Sequence, residues 1–437
     1  MSKLIKKINL YGLTMIAVGG CIGSGIFITP YQVAEAVPNG TFILAVWMLG
    51  GLIALTGALT FAELGGMFPK AGGVYVFLKE AYGDLVGFLY GWGILLVINT
   101  GALAALGMAL AEYLTYFFPL SEIGKVVVAI IVIVILTTIN IFGVRSSQIL
   151  ANVFTGLKLL AIGAIILTGI IFFEPSQAAI TSEWVGPKPD NLFSAFLLAL
   201  VGVLWSFGGW HHASYLAAET INAKKTVPRA MILGTLIVTI TYVLVNWAYM
   251  LLLPIDEIAG TRRVAGDAIG SIFTYGGQAV AIAIGISIFG TIGIYTMSAP
   301  RIYFAMAEDK IFFQALSKVH PKFKTPMNAM IVQSIWAIFL LGFWGTFHDL
   351  ITYVTFLDIA FMAMAGLSVF IFRRKYPNME RPYKVIAYPI IPLIFTGIST
   401  AFVVNTLIQQ PKQAWAGLIL LGLGTIVFQY FKGQKYK

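Results

Sequence analysis

Backbone chemistry stands out in this sequence before any side-chain constellation does. Gly19-Gly20-Cys21-Ile22-Gly23-Ser24-Gly25-Ile26-Phe27 puts four glycines within seven residues, in the middle of an apolar run. Each glycine costs a helix about 1 kcal/mol relative to alanine, so the run is expected to unwind there. A second glycine pair, in Trp205-Ser206-Phe207-Gly208-Gly209-Trp210-His211-His212, interrupts another apolar run. Where a helix restarts, free N–H groups and the positive dipole end suit a carboxylate; where one stops, orphan carbonyls suit an ammonium. A helix start around Ser24 to Phe27 facing a helix end near Phe207 meets both charges of a zwitterion, which points to an α-amino acid. Either glycine run alone also fits close helix packing through small-xxx-small patterns.

The elements that must position these breaks are membrane spans. The chain has 437 residues, 59% hydrophobic and only 11% charged, where a soluble domain carries about 25% charged residues. Apolar runs long enough to cross the hydrocarbon core recur from end to end. Twelve spans are expected, at about 9–35, 40–66, 83–118, 124–142, 148–172, 192–219, 228–253, 278–306, 327–345, 349–372, 386–408 and 413–431. The basic stretch ahead of the first span lacks a small-residue cleavage site after the apolar run and reads as leading into a retained helix. With the N-terminus inside, 22 of the 28 basic residues fall on cytoplasmic segments and five outside: Lys125, Lys188, Arg262, Arg263 and Lys412. That bias puts both termini in the cytoplasm and accounts for the net charge of +10 without nucleic acid.

The breaks fall in the first and sixth spans. Two blocks of five spans, about 9–172 and 192–372, would then form repeats of opposite orientation, with 386–431 outside them. Paired glycine interruptions at matching positions are the sequence pointer to a transporter's binding site. The chain is read as one transmembrane domain, 1–437.

Lys158 is the one basic residue assigned to neither side, lying within a span roughly 15 Å deep at about 1.5 Å per residue. A charge there costs at least ~2.5 kcal/mol on insertion scales, so it needs backbone carbonyls or another partner; snorkelling reaches poorly from that depth. Tyr242 and Asn246 share a face of the seventh span, one turn apart. His211 and His212 follow the second break and, on a regular helix, point about 100° apart, so only one would line a site. Without nearby cysteine or acidic partners they make a metal site improbable. Asp358, deep in the tenth span, is a functional candidate by default and a suspect for proton coupling; Glu63 and Glu112 sit close enough to span ends to be interfacial. Neither glycine run follows a strand or ends in a phosphate-loop lysine, and no catalytic constellation stands out. No cofactor is expected.

At this point the residues resemble a known group. Ile22-Gly23-Ser24-Gly25-Ile26-Phe27-Ile28-Thr29-Pro30 is similar to the span-one motif of the L-amino acid transporter family, within the amino acid–polyamine–organocation superfamily. Glu63-Leu64-Gly65 with Phe68 to Tyr75 resembles its first cytoplasmic, partly re-entrant loop. Phe207-Gly208-Gly209-Trp210 resembles the span-six motif, Val227 to Ala230 the turn into span seven, and Thr241 to Asn246 that span. Arg301 to Asp309 and Arg381 to Lys384 look like later loop signatures.

The resemblance implies a LeuT-type all-α fold of twelve spans with helices 1 and 6 broken, and amino acid transport at the cell membrane, often by exchange. It implies that the backbone of Ile22, Gly23, Ser24, Gly25 and Ile26 binds the carboxylate, and that carbonyls of Trp205, Ser206, Phe207 and Gly208 bind the amine. It further implies Trp205 as an external gate, His211 as a pocket residue, and Tyr242 as a support for the broken span one or Lys158. Span five faces the sodium site of LeuT-type carriers, so a lysine ammonium there implies sodium-independent transport. Eukaryotic members join a heavy chain through a cysteine between spans three and four; here 118–125 holds none, and the one cysteine is Cys21, so no disulfide-linked partner is expected and a prokaryotic stand-alone carrier is.

The expected function is sodium-independent exchange of neutral L-amino acids. A proton-coupled symporter, or a carrier of cationic amino acids or polyamines, remains the alternative reading. A channel would show a repeated filter loop or charged ring, and an enzyme a cluster of ionisable groups facing one cavity; neither is present. The expected partners are the amino acid substrate and membrane lipid.

Overall fold

A computed structural model of the chain describes residues 4–173, 183–342, 347–409 and 411–435. Lys3 and Lys437, counted above for orientation, and residues 343–345 of the ninth segment lie outside them. Every named element is a helix, and the one β-bridge among the described residues joins Ile8 to Thr220.

The helices are α1 (Leu10–Cys21), α2 (Gly25–Ala36), α3 (Gly40–Met67), α4 (Val74–Tyr82), α5 (Asp84–Gly93), α6 (Asn99–Leu114), α7 (Glu122–Ile141), α8 (Val144–Ile171) and α9 (Leu192–Ser206). There follow α10 (His212–Tyr215), α11 (Ala223–Leu252), α12 (Ile255–Gly260), α13 (Val264–Gly270), α14 (Gly276–Ser298), α15 (Pro300–Glu308), α16 (Met327–Leu341), α17 (Phe347–Lys375), α18 (Ile390–Gln409) and α19 (Pro411–Lys435). A π-turn, Ile94–Ile98, joins α5 to α6. Among the described residues, seven helices are long and apolar enough to cross a membrane, and the bent pair α1–α2 brings the number to as many as eight.

Small residues set the packing around the broken helix. α11 lies against α1 and α3; at Gly234 an added Cβ would sit 2.6 Å from the Ala17 methyl, and at Gly51 one would sit 2.3 Å from Thr239. Such close approach is what drives association where lipid supplies no hydrophobic force between helices. α14 packs against α8, α6 and α1, so the break is enclosed by α8, α11 and α14. Gly20 meets Gly209 and Thr29 of α2 reaches Ser206 of α9, so the two broken runs lie antiparallel; ahead of α1, Ile8 and Thr220 form a short parallel bridge.

Two carboxylates lock the bundle away from the break. Glu219 is fully buried and takes a forked pair from Arg301, Nε to Oε2 at 2.8 Å and Nη2 to Oε1 at 2.9 Å, while Nη1 reaches the Met297 carbonyl. Glu63, expected at an interface, is instead 0% exposed. It accepts from Arg373 at 2.7 Å, Arg381 at 3.2 Å and the Val385 N–H at 2.8 Å. Burial is affordable there because the acid has a full set of donors. Glu112 is exposed and pairs with Lys125 at 2.7 Å.

Removing one member of a buried pair strands the other, at a cost of about 3–5 kcal/mol. Glu219→Gln is therefore expected to lower the melting temperature of the detergent-solubilised protein markedly, while Glu112→Gln leaves it nearly unchanged. Equal melting curves for the two variants would show that the Glu219–Arg301 pair contributes no stability.

Candidate functional site

α1 stops at Cys21 and α2 restarts at Gly25, bent by 44°. The restart differs from its neighbours. Asn9, Asn39, Ser121 and Asn191 each turn a side-chain oxygen onto an N–H of the helix they precede. Ser24, in the same position before α2, makes no such bond, and its buried hydroxyl has no partner. Among the described residues, the backbone N–H groups of Ser24, Gly25 and Ile26 likewise have no acceptor. A helix N-terminus left open in this way is an anion site.

The carbonyls freed on the other side of the break are taken up. Lys158 of α8, 1% exposed, donates from Nζ to Gly19 O at 2.8 Å, Ile22 O at 2.7 Å and Thr291 Oγ1 at 2.6 Å. Three donors on the ammonium meet three oxygens, so its hydrogen-bonding capacity is filled. Thr291 and Ser287, one turn apart on α14, complete the collar. The Thr291 hydroxyl lies 3.1 Å from Gly19 O and 3.0 Å from Ile22 O, and that of Ser287 lies 3.2 Å from both Ile22 O and Gly23 O. The space for the lysine stem comes from Gly290, where a Cβ would stand 3.2 Å from Lys158 Cε and 2.6 Å from Phe154.

The second break meets the first backbone to backbone. Gly209 has φ +117°, and a Cβ on it would fall 2.3 Å from the Gly20 carbonyl oxygen. Position 209 therefore needs glycine twice over, for its torsion and for its clearance. Tyr242 of α11 spans both breaks. Its hydroxyl is 3.0 Å from Cys21 O and 3.0 Å from Ser206 O, so one proton is shared between the ends of α1 and α9. Of the carbonyls after Val203, that of Trp205 accepts from Gly208 N, that of Ser206 from Tyr242 and that of Phe207 from the Cys21 thiol. Those of Leu204 and Gly208 have no donor among the described residues.

A cavity of about 110 Å³ opens between the breaks. Gly23, Ser24, Gly25, Trp205, Ser206, Gly208 and His211 line it; Ile22, Ile26 and Phe207 do not. Ile22 points its carbonyl at the Lys158 collar instead, Ile26 is buried in the core, and Phe207 packs against Trp47 and Tyr242. Trp205 stands beside Gly25, with a ring carbon 2.9 Å from where a Cβ would be. Lys158 and Tyr242 lie behind the wall, holding it.

Both histidines line the cavity, against the expectation of one. The helical rule of about 100° per residue fails because 207–211 is a turn around left-handed Gly209, not a helix. His212 Nδ1 is 2.6 Å from Ser298 Oγ, and its ring stacks on Tyr295 at 4.2 Å. Sequence reasoning missed Ser287 and Thr291, whose signal was a hydroxyl pair at i, i+4 on the helix facing the break. It also missed the π-turn, which brings Ile94, Ile98 and Asn99 to the cavity. No cluster of three metal-ligating side chains occurs among the described residues.

Comparison with known proteins gives a consistent result. A family model described as amino acid permease matches residues 8–428. The chain is 33% identical to a serine/threonine exchanger, SteT, of Bacillus subtilis (strain 168), over 99% of this chain and 98% of that protein. It is 30% identical to the human Asc-type amino acid transporter 1, over 97% of this chain and 82% of the relative. It is 31% identical to the human large neutral amino acids transporter small subunit 2, over 98% and 81%.

Crowding at the backbone contact is directly testable. Gly209→Ala is expected to cost about 1–3 kcal/mol from overpacking alone, lowering the melting temperature and abolishing uptake. Gly156→Ala on α8, where nothing lies within 4 Å of an added Cβ, should change neither. Normal uptake by Gly209→Ala would show that the two broken helices do not need this contact.

Proposed function

The chain belongs to the amino acid permease family, and on that premise we propose that it is a sodium-independent exchanger of neutral L-amino acids. The observation that carries the reading is the Lys158 ammonium seated among the Gly19, Ile22 and Thr291 oxygens. A hard cation such as sodium would need a shell of such oxygens; a covalently attached ammonium fills it here. No ion is then required to hold the broken helix in place.

The substrate's carboxylate accepts from the N–H groups of Ser24 and Gly25, and its ammonium donates to the open carbonyls of Leu204 and Gly208. A neutral amino acid brings equal charges to the two helix ends, so the loaded site carries no added net charge. Trp205 closes over the substrate, and α1–α2 with α9–α10 move against the remaining bundle between outward- and inward-open states. The architecture we assign is the LeuT type: twelve spans, repeats at about 9–172 and 192–372, both termini cytoplasmic. Helices at each of the twelve expected segments and the basic bias of the assigned cytoplasmic segments support it, as does the antiparallel course of the two broken runs.

Exchange follows from the same open groups. Occluding an empty site buries N–H and carbonyl groups without partners, at about 1–3 kcal/mol each. Substrate satisfies them in both directions of travel, so the loaded carrier turns over faster than the empty one. The name of the Bacillus subtilis relative, an exchanger, is in keeping with this.

Purified protein in liposomes is expected to take up labelled L-alanine only when an unlabelled neutral amino acid is inside, at the same rate with sodium or choline outside. Strict dependence on sodium would sink the reading. Lys158→Ala removes three charge-assisted bonds, each worth about 1.5–3 kcal/mol, and is expected to slow exchange by more than tenfold. Unchanged kinetics in that variant would remove Lys158 from the mechanism.

A further inference from the structure

Among the described residues, one charged side chain lines the cavity, and neither helix break uses it. Asp358 of α17 lines the same space as the breaks, and among those residues its buried Oδ1 has no hydrogen-bond partner. None of the polar groups around it is hydrogen-bonded to that oxygen. The phenols of Tyr90, Tyr215 and Tyr295 lie within its electrostatic reach. Tyr90 and Tyr215 are bonded to each other at 2.6 Å, and Tyr295 donates to Gly20 O at 3.4 Å. His212 is held by Ser298. No lysine or arginine lines the cavity, and Lys158 spends its three protons on the collar behind the wall. An acceptor in this position costs free energy until a donor reaches it, and no side chain described here supplies one.

We propose that Asp358 recognises the substrate's side chain, selecting small L-amino acids whose side chain ends in a hydrogen-bond donor, foremost the hydroxyl amino acids serine and threonine. This rests on the exchanger reading above and deepens it. The backbone groups of the two breaks read only the common zwitterion, so discrimination must come from side chains on the rest of the wall. Outside the breaks that wall includes Asp358 and Ile359 of α17 with Ile94, Ile98 and Asn99 around the π-turn. The isoleucines pack a short aliphatic stem, and Asp358 accepts from its end. Ionised or protonated, the carboxyl keeps an oxygen that can accept. A hydroxyl is preferred to a cationic side chain because the exchanger reading takes neutral amino acids. A site built around a hydroxyl donor rejects the isostere lacking it, since the acceptor is then buried unpaired.

The test is competition against labelled L-alanine uptake into liposomes loaded with unlabelled L-alanine, using the near-isosteres threonine and valine, with serine, lysine and 2,3-diaminopropionate alongside. Threonine is expected to compete about tenfold better than valine. Asp358→Ala should bring that ratio close to one, and Asp358→Asn, which keeps an acceptor oxygen, should retain part of the preference; ligand-induced thermal shifts with threonine and valine read the same ratio independently of uptake. Equal potency of threonine and valine in the wild-type protein would overturn the proposal, whatever the variants do. So would a threonine preference that survives in Asp358→Ala. Lysine or diaminopropionate as the best competitor, lost in Asp358→Asn, would overturn it in favour of a cation subsite. Failure of alanine exchange in the wild type would strike the exchanger reading instead; ligand-induced thermal shifts of the purified protein with threonine and valine then decide the Asp358 assignment on their own.

Discussion

In hydrocarbon, every backbone polar group must find its partner within the protein, and that requirement organises this molecule. A helix that stops and restarts at mid-membrane exposes N–H groups on one side of the break and carbonyls on the other. Here the two sets are treated oppositely. The carbonyls of Gly19, Cys21, Ile22 and Gly23 are met by Lys158, Tyr242, Ser287 and Thr291. The N–H groups of Ser24, Gly25 and Ile26 are left open. That asymmetry turns a structural defect into a directed site: one edge of the break is anchored to three surrounding helices, and the other faces the cavity.

The anchoring also explains how a lysine can live at that depth. Its insertion cost is several kcal/mol in lipid, but the interrupted helix supplies carbonyls that otherwise would have no donor. Each defect is the remedy for the other. The break offers the lysine acceptors that an unbroken helix would keep for itself, and Gly290 provides the space that lets the two meet. The Glu219–Arg301 and Glu63–Arg373–Arg381 clusters, by contrast, satisfy themselves among side chains and the nearby backbone, and stay clear of the cavity wall.

How much of this was legible in the sequence follows from which interactions are local. Both breaks were readable because glycine propensity is a property of the residue and its immediate neighbours. Lys158 was readable because a charge in an apolar run is conspicuous whatever surrounds it, and its need for carbonyls followed from its depth. Ser287 and Thr291 were not, because a hydroxyl on a transmembrane helix bonds its own preceding turn as readily as a neighbouring helix; only the packing of α14 against α1 gives theirs another target. The histidine pair was misjudged because the rule applied to it presumes a helix, and Gly209 had already ended one. Glu63 was placed at an interface from its distance to a span end, while its two arginine partners lie more than 300 residues away in the chain.

The contact between Gly20 and Gly209 has a consequence for how such a protein can change over generations. The joint on which the two broken helices meet is made of main chain, and on the proposed reading so are the groups offered to the common part of an amino acid. Under that reading, substitutions at Asn99, Asp358 or Ile359 alter what is carried without disturbing how carrying is done. A scaffold divided in this way lets substrate range drift one side chain at a time, while the moving parts stay under a separate and much stricter constraint.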